Sequence, residues 1–161
     1  MWLWIRPDIP FIGATPDGIT QCDCHGTGCV EVKCPFAVRD QVLQDVLNTG
    51  KHDICLKRSS HGALSLKKTH AYWYQVQAQL NITGKKFADF VVWTEKDLHI
   101  ERINKDSVFF KEKLERVQQL YKTAILPEML AKWYTKPKDD DLIQQSLFCY
   151  CRVSHEKSLV L

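Results

Sequence analysis

A chain of 161 residues with 45% hydrophobic and 25% charged residues has the size and composition of one globular domain. A formal net charge of +3 excludes a histone-like polycation, so contacts to nucleic acid would have to come from local basic patches. No apolar stretch reaches the roughly eighteen residues a membrane helix needs, and the apolar start at residues 1–5 is too short for a signal peptide, so the seven cysteines are not expected to form a secreted disulfide framework and a cytoplasmic or nuclear protein is expected.

In chain order, residues 10–15 have strand character, with Gly13 and Ala14 small enough for close backbone approach. Pro16-Asp17-Gly18 reads as a turn or strand end. Residues 19–22 and 29–34 read as the arms of a hairpin around a glycine-rich turn at 23–28. Side chains alternate along a strand and each residue advances ~3.3 Å, so Glu31 and Lys33 share one face about 7 Å apart. Val30, Val32 and Cys34 are then expected to point into the core. A turn at Pro16-Asp17-Gly18 can bring Asp17 beside Glu31. Two carboxylates repel unless a hard cation lies between them, and oxygen-only ligation suits magnesium or manganese. An adjacent lysine can orient a water or steady a phosphate, which together are the parts of metal-dependent phosphodiester hydrolysis. Cys22, Cys24, His25, Cys29 and Cys34 also fall within this stretch. They are zinc-ligand types, but the Cys-x-Cys spacing departs from the usual pattern, and the favoured reading is a hairpin tip with incidental thiols. A zinc-binding interaction module on Cys22 to Cys34 is the competing one.

Residues 37–48 carry apolar side chains at helical spacing and end before Gly50. Residues 51–69 are polar, with short apolar pieces at 54–56 and 63–66, and are expected to be mobile. Of the basic pairs Lys57-Arg58, Lys67-Lys68 and Lys85-Lys86, the second precedes the next helix and is the candidate for holding a nucleic-acid backbone. That helix is expected over 69–83, capped by Thr69 and stopped at Gly84. Tyr72, Val76 and Leu80 form its apolar stripe, and Gln75 and Gln79 lie one turn apart on a neighbouring face. Gln77 falls on another side, which favours Gln75 over Gln77 as the site glutamine. Residues 87–94 read as a central strand covered on both faces, with Asp89 a strand-edge carboxylate. Residues 98–103 read as its antiparallel partner across the turn Glu95-Lys96-Asp97. A long helix is expected over 106–134, capped by Asp106 and kinked or split at Pro127. A charged linker follows at 136–141, and Phe148-Cys149-Tyr150-Cys151-Arg152 resembles the opening of a PHD-type zinc finger whose remaining ligands are absent.

Three blocks, 11–18, 30–36 and 71–77 followed by 87–93, make residues 10–104 resemble the PD-(D/E)XK nuclease superfamily, and more closely its YqaJ-type viral recombinase, lambda exonuclease-like family. The resemblance implies an α/β, restriction-endonuclease-like core, a mixed central β-sheet flanked by helices, over residues 1–135, with linker and tail over 136–161. It implies that Asp17, Glu31 and the Val32 carbonyl ligate Mg2+ or Mn2+ and that Lys33 positions or activates the attacking water. It places Gln75 by the metal or the scissile phosphate; with DNA as substrate, Lys67 and Lys68 are the expected contacts to it from their position ahead of that helix. The implied activity is exonucleolytic or end-processing hydrolysis of DNA in recombination, with double-stranded ends as partner and no membrane. Relatives carry a further acid on an upstream helix, whereas only Asp8 precedes Asp17 here. An N-terminally truncated chain is therefore expected, and the alternative function is an inactive relative that binds DNA or protein.

Overall fold

The pairing of two hairpins through one parallel contact creates the sheet that carries the candidate site. In the computed structural model, which describes residues 2–60 and 62–135, strands β3 (Gly18–Cys22) and β4 (Gly26–Lys33) are antiparallel, as are β7 (Phe87–Trp93) and β8 (Leu98–Asn104). β4 and β7 run parallel, which gives a mixed four-stranded sheet in the order β3-β4-β7-β8. A parallel pair needs a crossover. Here the crossover contains α1 (Leu43–Thr49), a small antiparallel pair β5 (Leu56–Arg58) and β6 (Leu64–Leu66), and α2 (Ala71–Thr83). Ahead of the sheet, β1 (Trp4–Ile5) pairs with β2 (Gly13–Ala14), and after it come α3 (Ser107–Leu120) and α4 (Leu126–Ala131). The architecture is α/β with a mixed central sheet and helices.

The core forms where α2 lies on the sheet. Val76 and Leu80 of α2, Leu43 and Val46 of α1, and Leu56 and Leu66 of the small pair close over Cys29, Ala88, Phe90, Val92 and Ile103. β4 and β7 also meet closely at their start, where a Cβ on Gly28 would lie 2.3 Å from the Phe87 ring, so no larger residue fits there. The opposite sheet face is largely open: Val32 is 39% exposed, Trp93 46%, Leu98 56% and Ile100 58%. Among the described residues, 87–93 are therefore covered by packed elements on one face, not two. Val30 is half-buried and Val32 and Cys34 are exposed, whereas Cys29 and Glu31 are buried. The expectation that Val30, Val32 and Cys34 point into the core is thus reversed, because α2 packs against the face that bears Glu31.

The expected helix over 37–48 is broken into a single 3-10 turn (Phe36–Val38) and α1. Arg39 and Gln41 give their carbonyls to Glu95 N–H and Thr94 Oγ1, and the Asp97 carboxylate caps α1 through Leu43 N–H. These bonds to the β7–β8 turn outcompete helical pairing. α2 is capped by His70, whose Nδ1 accepts from Tyr72 N–H, rather than by Thr69. Residues 26–28 belong to β4, so the β3–β4 turn is shorter than expected. Asp106 caps α3 through Phe109 N–H. The helical pattern beyond it is split: a π-helical turn (Tyr121–Ile125) precedes Pro127, which stands in the first turn of α4, where its missing N–H costs little. The described residues fall into two compact units, one ending at Gln118 and one starting at Gln119. No helix among them is long and apolar enough to cross a membrane. The linker at 136–141 and the Cys-x-Cys segment at 149–151 lie outside the described residues.

Candidate active site

A buried carboxylate is costly unless donors meet it. Glu31, on β4, is 2% exposed and fully supplied. Its Oε1 accepts from Lys33 Nζ and from Gln75 Nε2 at 2.7 Å, and its Oε2 accepts from Gln79 Nε2 at 2.7 Å. Lys33 Nζ also donates to Gln75 Oε1 at 3.1 Å and sits 4.4 Å from the centre of the Tyr72 ring. Strand alternation puts Glu31 and Lys33 on one face, and helix periodicity puts Tyr72, Gln75 and Gln79 on the side of α2 that meets them. Gln75 acts as a two-way bridge, its amide N–H on the carboxylate and its carbonyl on the ammonium.

Asp17 precedes β3. Gly18 pairs with Val30, so continuing that antiparallel register sets Asp17 across from Glu31. Its Oδ2 accepts the Val32 N–H at 2.8 Å, which fixes the exposed carboxylate against the Glu31-Val32-Lys33 run. In an extended strand a residue's N–H and C=O leave on the same edge. The Val32 carbonyl therefore opens on the edge where Asp17 lies. The structure thus brings Asp17, Glu31, the Val32 backbone, Lys33 and Gln75 together.

The donor set fits a hard cation, since its carboxylate and carbonyl groups are all oxygen donors of the kind magnesium and manganese prefer. A further observation favours the fit. Gln79 Oε1 is buried without a hydrogen-bond partner, on the side chain that holds Glu31 Oε2. Beside Lys33 a cavity of about 200 Å³ is lined by His52, Asp53, His70, Tyr72 and Val92.

Other candidates separate from this cluster. Gln77 does not approach it: its amide donates to the Asn104 carbonyl and its Oε1 accepts the Asp106 N–H, so it ties β8 to α3. Asp89 is held by Arg102 across the β7–β8 pair through bonds of 2.8 and 2.9 Å. Lys67 pairs with Asp53 at 2.5 Å and holds that carboxyl below the usual range, while Lys68 lies over the Trp73 ring beside a different, larger hollow. The two lysine side chains therefore have different surroundings. Gln79 and Tyr72 were not assigned to the site from sequence. The available signal was the Gln75–Gln79 spacing of one helical turn.

The five residues considered as zinc ligands also divide. Cys29 is buried against Thr83 Oγ1 at 3.4 Å and Cys34 follows the far end of β4, whereas Cys22, Cys24 and His25 meet at the β3–β4 tip. Bonds from Cys24 first and His25 second push the Cys22 thiol down to about 6, while burial pushes Cys55 up to about 11.

A family model described as the YqaJ-like viral recombinase domain matches residues 2–86. Among solved structures, a crystal structure of LHK-Exo in complex with dAMP is similar over 78% of this chain and 60% of that chain, at 24% identity and a TM-score of 0.44. A crystal structure of an alkaline exonuclease, LHK-Exo, from Laribacter hongkongensis is similar over 78% of this chain and 61% of that chain, at 23% identity and a TM-score of 0.43. This chain spans about three-fifths of the length of those two chains. No curated protein matches.

Proposed function

The chain belongs to the YqaJ-like viral recombinase domain family, and on that premise we propose that it is a magnesium- or manganese-dependent nuclease hydrolysing DNA phosphodiester bonds, acting on double-stranded ends in recombination. One observation carries the reading: a carboxylate buried in the sheet, bridged by Gln75 to a lysine, with a second carboxylate fixed one residue away. A buried ion pair is seldom more stabilising than apolar residues of the same size, which favours a chemical role for this one over packing.

Asp17, Glu31 and the Val32 carbonyl are the residues that would hold the metal. When bound, the ion supplies Lewis-acid polarisation of the phosphate and a more acidic water. Lys33 brings positive charge to the developing negative charge of the pentacoordinate phosphorus. Gln75 sets the position of the ammonium relative to the carboxylate, and Gln79 prevents the Glu31 carboxylate from rotating. Lys68, free of a carboxylate partner among the described residues, is the better of the two sequence-chosen lysines for a backbone contact.

The test is digestion of linear double-stranded DNA in magnesium and in EDTA, with Lys33→Ala and the double variant Asp17→Asn/Glu31→Gln alongside. The reading expects cleavage that needs the metal and is lost in both variants; cleavage indifferent to Lys33→Ala refutes it. A second reading, a non-catalytic module that binds DNA or protein, draws on the same contacts. Glu31 already has three donors, so the carboxylate is satisfied without an ion. Calorimetry separates the two: the nuclease takes up Mn2+ through Asp17 and Glu31, and the module does not.

A further inference from the structure

We propose that Cys22, Cys24 and His25 bind zinc at the tip of the β3–β4 hairpin, with water in the fourth coordination position. The three donors are already assembled. Cys22 Sγ and Cys24 Sγ are 2.8 Å apart, and His25 Nδ1 lies 3.4 Å from the first and 3.0 Å from the second. Two thiolates and an imidazole are the ligand types zinc takes, at ~2.3 Å for sulfur and ~2.0–2.1 Å for nitrogen. A tetrahedral ion would set its two sulfurs roughly 3.8 Å apart, so the tip has to open by about 1 Å. The sulfurs are too far apart to be bonded to each other, since a disulfide spans ~2.05 Å.

The backbone accounts for the convergence. Cys22 and Gly26 are paired, so a loop of Asp23, Cys24 and His25 closes the hairpin, and Gly26 takes the left-handed φ of 77° that so short a loop needs. Both arms are tied into the sheet, and His25 packs edge-on against Phe87 with ring centres 6.5 Å apart. Cys24 and His25 are exposed and Cys22 is half-buried, so an ion reaches the donors directly from solvent. Charge also suits zinc, because two thiolates with a neutral imidazole balance the ion. The cation that senses these sulfurs, Arg102, is already matched by Asp89.

This site does not rest on the nuclease reading. Glu31 lies six positions beyond His25 along β4, roughly 20 Å at the rise of a strand. Sulfur and imidazole at one end select a borderline-soft ion, and carboxylates at the other a hard one.

The experiment titrates the reduced full chain with Co2+ as a spectroscopic stand-in for Zn2+. One equivalent bound at the tip gives a thiolate-to-cobalt charge-transfer band and tetrahedral ligand-field bands, bleached by Zn2+. The Cys22→Ser/Cys24→Ser variant should bind one equivalent fewer, and the Cys149→Ser/Cys151→Ser variant should retain the tip signal. His25→Ala should weaken Co2+ at least tenfold, and Zn2+ should raise Tm in the parent but not through the tip in Cys22→Ser/Cys24→Ser. No thiolate band in the parent, or a stoichiometry unchanged in Cys22→Ser/Cys24→Ser, overturns the proposal.

Discussion

The central sheet hides a charge on one face and shows apolar side chains on the other. Glu31 lies beneath α2, beside Cys29, Phe90 and Val92, while Val32 of β4, Trp93 of β7, and Leu98 and Ile100 of β8 look outward on the opposite face of the sheet. Hydropathy would arrange these residues the other way round. A carboxylate stays inside when donors are waiting for it, and these apolar side chains stay outside because no element among the described residues packs against them. Stability and the proposed chemistry are thus concentrated on one face.

The largest test of that contrast removes Lys33. Lys33→Ala strands a buried carboxylate, which typically costs about 3–5 kcal/mol, and should lower DNA cleavage about 10²–10³-fold. Urea unfolding and an assay run where circular dichroism shows the variant folded measure the two effects. Glu31→Gln should lose as much activity but less stability, since a neutral amide needs no cation; equal stability losses would break the contrast. Phe90→Ala, on the covered face, should cost about 3–5 kcal/mol in the same unfolding measurement. Gln79→Leu removes a hydrogen bond to a buried charged group and should cost about 1.5–3 kcal/mol. Trp93→Ser and Ile100→Thr, on the open face, should each stay within about 0.5 kcal/mol. A larger loss would show that something covers that face.

What the sequence revealed was what depends on near neighbours. A hairpin fixes register over a few residues, so the approach of Asp17 to Glu31 and the shared face of Glu31 and Lys33 could be read directly. The 3.6-residue repeat correctly parted Gln77 from Gln75. Alternation says which residues share a face but not which face is covered, and assigning valines inward reversed the sheet. The break between residues 38 and 43 was equally hidden, because it depends on bonds from Arg39 and Gln41 to a turn more than fifty positions away. Gln79 was placed beside Gln75 but given no role, since its partner, Glu31, lies 48 positions back in the chain.

The contact between Gly28 and Phe87 works as an indexing notch. Phe87 seats over the one position between Thr27 and Val30 that lacks a Cβ. Sliding β4 by one step would present Thr27 or Cys29 to the ring and turn Glu31 away from α2; sliding it so that Val30 arrived there would jam. An absent methyl at one end of the strand thus sets the height at which the carboxylate meets its glutamines at the other.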